Sequence, residues 1–204
     1  MLDGRVVLVT GVDQPLGGGI AAALGERGAR VVDSPHPDVD ALVHASIEPA
    51  ALVPRRFTDS DDQVWSQVWE GTMRTALRLC QTLHPHLVRS GSGRVVFVVP
   101  TLGMSGAASM APLATAAEGL RVFAKSTARQ WGQDGITVNC VAVAPELTGI
   151  EPGVVGAAAL SSPALGSAGD PQRDIGPIVA FLCSEASHFL TGATLSADGG
   201  GWMA

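Results

Sequence analysis

Polar side chains that could take part in catalysis follow two apolar segments of the sequence. His44 ends one segment and could serve as a general base, although a strand-end histidine bonded to the backbone is the alternative interpretation. Thr101, Ser105 and Ser109 follow another segment and offer hydroxyl groups, but the sequence places no base beside them. The chain has no tyrosine, and Lys125 is its only lysine. Acid–base chemistry that needs a phenol beside an ammonium group is therefore not expected.

A glycine turn follows the first apolar segment, in the sequence TGVDQPLG at residues 10–17. Such a turn brings backbone N–H groups and a helix N-terminus close to a pyrophosphate. Gly11 and Gly17 are present, but Pro15 stands between them and removes one N–H donor. Asp33 ends the next apolar segment and could bind a ribose, although a polar strand end is the simpler interpretation.

Composition excludes several classes of protein. The chain has 204 residues, 46% of them hydrophobic, and a net charge of -6, which argues against a general nucleic-acid-binding or anionic-membrane-binding protein. No apolar stretch reaches the roughly 18 residues of a membrane span, and no signal peptide is recognised. Cys80, Cys140 and Cys183 lie in apolar segments, so we expect buried free thiols in the cytoplasm and no metal site.

Short apolar segments alternate with long amphipathic ones, as in a parallel sheet with helices on both faces. We expect one domain over residues 1–204, of α/β class, with a three-layer doubly wound parallel sheet. The predicted strands are 5–10, 30–33, 41–45, 94–99, 136–143 and 194–197, and the predicted helices are 18–27, 61–89, 110–131 and 171–184. Residues 149–169 are rich in Gly, Ala, Ser and Pro and are expected to form a long mobile loop.

The connection between the second and third predicted strands is unusually short. Residues 34–40 cannot hold the helix of a βαβ crossover, which needs at least about 10–12 residues. If the first strand lies between the two, the chain must span a diagonal of about 19 Å. Seven extended residues reach about 24 Å. An extended strap in place of a helix is therefore predicted.

Four ordered motifs resemble those of the short-chain dehydrogenase/reductase family. Residues 10–17 resemble its TGxxxGIG turn, and residues 138–142 its VNxVxPG segment. Residues 169–175 are similar to its GxPxDIA segment, and residues 181–200 to its FLxS…TG…DGG ending. The resemblance covers nearly the whole chain and implies a Rossmann-like sheet, here shortened by loss of the third strand and its flanking helices.

The resemblance also shows where catalytic residues would lie. The family uses a Tyr, a Lys four residues later, a Ser thirteen residues before the Tyr, and an upstream Asn. The corresponding positions here hold Leu113, Ala117, Pro100 and Thr72, respectively. No change of register restores the Tyr–Lys pair, because the chain has no tyrosine. The resemblance therefore predicts a homologue without the family's catalytic residues.

The cofactor contacts implied by the family are reduced to vestigial ones at Gly11, Leu16, Gly17 and Thr148. The strap replaces the strand whose end carries an Asp near the adenine. Residues 44–46 replace the family's NNAG segment with His-Ala-Ser, and residues 143–144 replace its PG with Val-Ala. We expect no cofactor on these grounds, with NAD or NADP as the alternative.

These observations predict a catalytically disabled homologue that acts as a structural or regulatory subunit. The alternatives are an NAD(P)-dependent oxidoreductase with an atypical active site and a small-ligand binding module. The family resemblance implies pairing through helices 61–89 and 110–131, in a homo-oligomer or with an active relative. Trp65 and Trp69, four residues apart, lie either in that interface or in the core.

Overall fold

The computed structural model describes residues 2–150 and 162–203. Six parallel strands form one sheet in the order β2-β1-β3-β4-β5-β6. The strands are β1 (Val6–Thr10), β2 (Arg30–Val32), β3 (Ala41–His44), β4 (Arg94–Pro100), β5 (Thr137–Val143) and β6 (Thr194–Ala197). The predicted doubly wound α/β class is confirmed, and each predicted strand is present within two residues of its predicted ends.

Helices cover both faces of the sheet. They are α1 (Pro15–Glu26), α2 (Asp62–Val68), α3 (Thr75–Arg89), α4 (Leu102–Ser105), α5 (Ala111–Trp131) and α6 (Gly176–Leu182). A π-helical turn, Trp69–Arg74, joins α2 to α3, and a second one, Pro171–Ile175, precedes α6. The predicted helix 61–89 is thus continuous but contains a π-helical segment. No helix in the described ranges has the length and apolar character needed to cross a bilayer.

The core has a layer on each face of the sheet. On one face, residues such as Leu42 and Phe97 pack with Leu83 and Leu120 of α3 and α5. On the other face, the alternate residues of the same strands pack with α1 and α6. All seven residues of β4 and of β5 are buried, as the long apolar segments predict. The two strands are therefore covered on both faces of the sheet.

The short strap runs as predicted. Strand β1 lies between β2 and β3, and the described strap contains no helix. The strap is held at its end, where Asp40 N–H donates to the carbonyl of Val6 and the Asp40 carboxylate accepts the N–H of Val6. Val39 is buried, and the ring of His36 accepts a hydrogen bond from Arg30. In the described chain β2 pairs on one side alone, which leaves its outer edge open.

Part of the predicted mobile loop, residues 151–161 of 149–169, lies outside the described residues. Residues 163–167 pack beside the C-terminal turn, where Leu165 N–H donates to the carbonyl of Gly199. A β-carbon added to Gly199 would lie 2.8 Å from the carbonyl oxygen of Ser167. This part of the segment therefore lies directly against the turn that follows β6.

Candidate functional site

The glycine turn keeps the geometry of a phosphate-binding turn. Gly11 has a φ of +71°, and a β-carbon on Gly17 would lie 2.2 Å from the carbonyl oxygen of Gly11. Glycine is therefore required at both positions, at Gly11 for its positive φ and at Gly17 for close approach. Within the described chain, the N–H groups of Leu16 and Gly17 have no backbone acceptor at the start of the twelve-residue helix α1. Two such N–H groups at a helix N-terminus can donate hydrogen bonds to a bound anion.

Pro15 disturbs this turn less than the sequence suggests. It lies at the first position of α1, where a helix leaves its N–H unbonded and where the fixed φ of proline is already helical. Gln14 links the turn to the exit of β3, because its side-chain amide exchanges two hydrogen bonds with the backbone of Ile47 (2.9 and 3.1 Å). The turn is folded and held in place with proline in it.

His44 is fully buried at the end of β3 and bonded to Thr10 at the end of β1. The Thr10 hydroxyl oxygen accepts the N–H groups of Ala45 and Ser46 at 3.1 and 3.2 Å. Its proton is therefore free to donate to Nδ1 of His44, 3.0 Å away. Burial lowers the pKa of His44 to about 4, so the ring is neutral at pH 7 and carries its proton on Nε2.

This arrangement does not favour His44 as a general base. Its basic nitrogen is occupied by Thr10, and its side chain has no exposure to solvent. The Nε2 atom is buried without a hydrogen-bond partner in the described chain. His44 is thus a hydrogen-bonded residue at a strand end, which was the alternative to a general base. Its partner, however, is the side chain of Thr10 and not the backbone.

The positions that correspond to the family's Tyr and Lys lie in apolar packing. Leu113 and Ala117 are each 2% exposed on α5. A β-carbon added to Gly103 of α4 would lie 3.0 Å from the β-carbon of Ala117, so α4 lies tightly on α5 at this point. Leu113 belongs to a third apolar cluster together with Ile47, Ala51, Val68, Leu102, Met110, Ala116 and Ile150. The site of the phenol and the ammonium group is a packed core.

The two remaining family positions offer no proton path either. Pro100 is the last residue of β4 and pairs with Val143 of β5. Thr72 lies in the π-helical turn, with a buried hydroxyl that has no partner among the described residues. Thr101 is fully buried, and its hydroxyl is also unpartnered there. Two buried polar atoms without a partner in the described chain, His44 Nε2 and Thr101 Oγ1, thus lie at the exits of β3 and β4.

The other candidate hydroxyls are not activated. Ser105 Oγ lies 3.5 Å from the carbonyl of Leu102, and Ser109 has a φ of 65° with its carbonyl accepting the N–H of Arg55. Thr148 is buried, and its hydroxyl donates to the carbonyl of Pro145. Among residues 2–150 and 162–203, none of these hydroxyls is bonded to a basic side chain, as nucleophilic catalysis would require.

Two cavities adjoin the exits of the later strands among the described residues. One of about 320 Å³ lies beside Ala197 and Gly199 and extends to Arg173 and Ile178. The other, beside Thr101, has a volume of about 30 Å³ and is lined by Thr101, Ala144, Pro145, Glu146, Pro163, Asp198 and Gly201. A volume of that size is about what one water molecule occupies in the liquid. Asp33, by contrast, is exposed directly after β2, at the open side of the glycine turn. The arrangement favours binding at the turn over chemistry above the later strands.

The other polar candidates are structural. Burial raises the pKa of Cys80, Cys140 and Cys183 to about 12, and all three are free thiols, so none is a nucleophile at neutral pH. Trp65 packs against Phe57 with ring centroids 6.4 Å apart, whereas Trp69 is 53% exposed. The two tryptophans therefore do not share one environment.

Comparison with known proteins agrees with this fold. Residues 26–201 match the family model described as enoyl-(acyl carrier protein) reductase. The chain is 28% identical to the 3-oxoacyl-(acyl-carrier-protein) reductase of Vibrio cholerae, with 99% of each chain covered. It is 27% identical to the protein of that name from Escherichia coli, with 98% of each covered.

Two solved structures share this fold over nearly the whole chain. The 3-ketoacyl-(acyl-carrier-protein) reductase of Brucella melitensis, complexed with NADH, superimposes with a TM-score of 0.85 over 100% of both chains at 19% identity. A short-chain alcohol dehydrogenase from Sinorhizobium meliloti gives a TM-score of 0.83 at 22% identity, over 98% of this chain and 96% of that one.

The expectation that the chain binds no cofactor is wrong. A protein with the same fold over its whole length is complexed with NADH, and the curated relatives are reductases, which points to a nicotinamide cofactor. The residues at Gly11, Leu16 and Gly17 fit the pyrophosphate of such a group, because the turn and its free amides are intact. With fold, turn and family model in agreement, this chain belongs to the short-chain dehydrogenase/reductase family.

Proposed function

We propose that this chain is a short-chain dehydrogenase/reductase homologue that binds a nicotinamide dinucleotide, is disabled for the family's proton transfer, and serves as a structural or regulatory subunit of a cytoplasmic oligomer. The observation that carries the proposal is the burial of Leu113 and Ala117 in apolar packing. Reduction of a carbonyl needs a proton donor beside the reacting oxygen. Neither side chain has a proton to donate.

The glycine turn supports the binding part of the proposal. The amides of Leu16 and Gly17 would bind the pyrophosphate, and Asp33 would accept hydrogen bonds from the adenosine ribose. A nicotinamide dinucleotide supplies a hydride donor or acceptor when it is bound. The missing third strand leaves the adenine side open to solvent, so we expect weaker binding than in a full-length family member.

Two features support the loss of chemistry independently of the missing tyrosine. Helix α4 lies on α5 at Gly103 and Ala117, which leaves no room there for a lysine side chain. The cavity that the described residues leave beside Thr101, at about 30 Å³, is far smaller than the roughly 300 Å³ of a typical ligand site.

The experiment is a pair of measurements on the purified chain. Titration calorimetry with NADH and NADPH should show binding, and Gly17→Ala should abolish it. The matched control Gly25→Ala, also in α1 but with open space around its β-carbon, should retain it. Assays with a panel of ketones and either cofactor should show no turnover; turnover at a rate typical of enzymes would contradict the proposal.

A second candidate is an oxidoreductase with an atypical site at His44. One observation favours it, because Nε2–H of His44 is a buried donor without a partner in the described chain. Such a donor could polarise a carbonyl oxygen. Turnover that is lost in His44→Ala but retained in His188→Ala, at an exposed position, would support this candidate over the first.

A further inference from the structure

The carboxyl end of β2 forms an open side of the glycine-turn site. Strand β2 has three residues and pairs with β1 alone in the described chain. Asp33, Ser34 and Pro35 follow it directly, and all three residues are exposed. No further strand borders β2 on its outer side among residues 2–150 and 162–203. A ligand group that extends past Asp33 therefore reaches the surface.

The base of a bound dinucleotide is the group that extends to this edge. A Rossmann sheet binds the pyrophosphate at the first glycine turn and the adjoining ribose at an acidic residue after the second strand. In this chain those groups are the amides of Leu16 and Gly17 and the carboxylate of Asp33. The base is attached to that ribose at a different carbon from the phosphate, so it lies past the carboxylate and not between it and the turn.

The amide side chain of the turn is already bonded. Asn and Gln recognise adenine by donating and accepting a hydrogen bond at the same time. Gln14 lies in the turn, but its amide donates to the carbonyl of Ile47 at 2.9 Å and accepts the N–H of Ile47 at 3.1 Å. Gln14 therefore holds the turn against the exit of β3 and does not serve to recognise a base.

The hydroxyl side chains beside the turn do not distinguish one purine from another. Ser34 follows Asp33, and a β-carbon added to Gly11 would lie 2.8 Å from Cα of Ser46. A hydroxyl both donates and accepts, so it can bond the amino group of adenine or the carbonyl oxygen that hypoxanthine carries at the same ring position. Val12, which is 37% exposed in the turn, offers an apolar contact that any base can use.

We infer that this site recognises the pyrophosphate and the ribose of its ligand but not the base, so that nicotinamide dinucleotides with different purines bind with similar affinity. The inference rests on the proposed function and defines its ligand class. A site rejects an analogue by about 10⁴-fold or more when the analogue leaves a buried polar group of the protein unpaired. Asp33 and Ser34 are exposed, so water bonds to them when a base does not.

The test compares two ligands that differ at one position of the base. Titration calorimetry measures the dissociation constants of the purified chain for NADH and for reduced nicotinamide hypoxanthine dinucleotide, in which a carbonyl oxygen replaces the 6-amino group of adenine. The two constants should agree within about fivefold, since neither base leaves a buried group unpaired. A larger preference for either ligand would overturn the inference.

The variant Asp33→Ala shows which part of the ligand this carboxylate contacts. It should weaken both ligands by the same factor, about tenfold, because both carry the ribose hydroxyls. The control Asp38→Ala removes the same charge from the strap, where the side chain is 73% exposed, and should leave both affinities unchanged. A loss confined to NADH would place Asp33 at the amino group of adenine, and an unchanged affinity for both ligands would exclude the ribose contact. Either result would overturn the inference.

The same titrations separate this inference from the proposed function. If NADH binds and the hypoxanthine analogue does not, the proposed function stands and the inference alone fails. If neither ligand binds, the binding part of the proposed function fails, and the inference fails with it. Binding of both ligands that is lost in Gly17→Ala would support the two together.

Discussion

The hydroxyl of Thr10 donates to Nδ1 of His44 across 3.0 Å, and this bond joins the carboxyl ends of neighbouring strands β1 and β3. The same oxygen accepts two backbone N–H groups from the chain that leaves β3. One threonine side chain thereby fixes the histidine tautomer and the path of the residues beside the glycine turn. The pair is a structural link at the place where a cofactor would bind.

Thr10→Val should lower the free energy of unfolding by about 1–3 kcal/mol, because it leaves the N–H groups of Ala45 and Ser46 and the buried Nδ1 of His44 without their partner. Urea denaturation measures the change. The control Thr82→Val, at an exposed position of α3, should change the stability by less than about 0.5 kcal/mol. Equal effects of the two substitutions would show that the bond to His44 contributes nothing.

His44 should make the chain less stable in mild acid. Its pKa is about 4 in the folded state and 6.5 in the unfolded state, because burial disfavours the charged ring. The unfolded chain therefore binds the proton first, and stability present above pH 6.5 is lost as the pH falls toward 4. Between pH 7.5 and 5 the loss should be about 2 kcal/mol.

The measurement is urea denaturation at a series of pH values. His44→Asn should remove most of the slope between pH 7.5 and 5, while His188→Gln, on an exposed turn, should keep it. A slope unchanged by His44→Asn would assign the pH dependence to other groups.

Ala117→Lys should destabilise the fold by about 3 kcal/mol or more, since it forces a long charged side chain into the tight, buried contact between α5 and α4. Thermal unfolding measures this, with Thr115→Lys, exposed on the same helix, as the control. The double variant Leu113→Tyr/Ala117→Lys should likewise show no ketone reduction. Recovery of activity in a stable double variant would mean that the site had remained open.

Gly17→Ala should destabilise the chain by about 2 kcal/mol or more, because its β-carbon would overlap the carbonyl of Gly11. Gly25→Ala should instead stabilise it by about 0.5–1 kcal/mol, since it lies inside α1 with open space around it. Chemical denaturation gives both values. Changes of opposite sign in the free energy of unfolding would show that the steric contact with the Gly11 carbonyl decides the effect at Gly17 and that helix propensity decides it at Gly25.

Much of the fold followed from the sequence, since the long apolar segments at 94–99 and 136–143 are typical of strands buried on both faces. The length of the connection at 34–40 also led to the correct prediction of an extended strap in place of a helix. The π-helical turn at Trp69–Arg74 was not predicted, because one extra residue in a turn hardly alters an amphipathic pattern. Helix α4 was missed because its four residues are too few to show periodicity.

The cofactor prediction failed for a physical reason. It combined the N–H lost at Pro15 with the missing strand and the changed side chains, whereas a pyrophosphate is bound largely by backbone amides that most residues supply. Pro15 removes a single donor at a position where the helix already begins. The bond between Thr10 and His44 was also missed, although both residues end strands that were predicted to be neighbours. Because parallel strands end at the same edge of a sheet, the two predicted strand ends could have indicated that Thr10 lies beside His44.

The open outer edge of β2 is a place where another chain could pair with this sheet. An uncovered edge invites other chains to add on by main-chain pairing, the first step toward fibrils. Here the exposed edge is three residues long and begins at the charged Arg30, with Asp33 directly after it. So brief a template, with charges at both ends, offers few main-chain groups for pairing and so disfavours edge-to-edge association of this sheet.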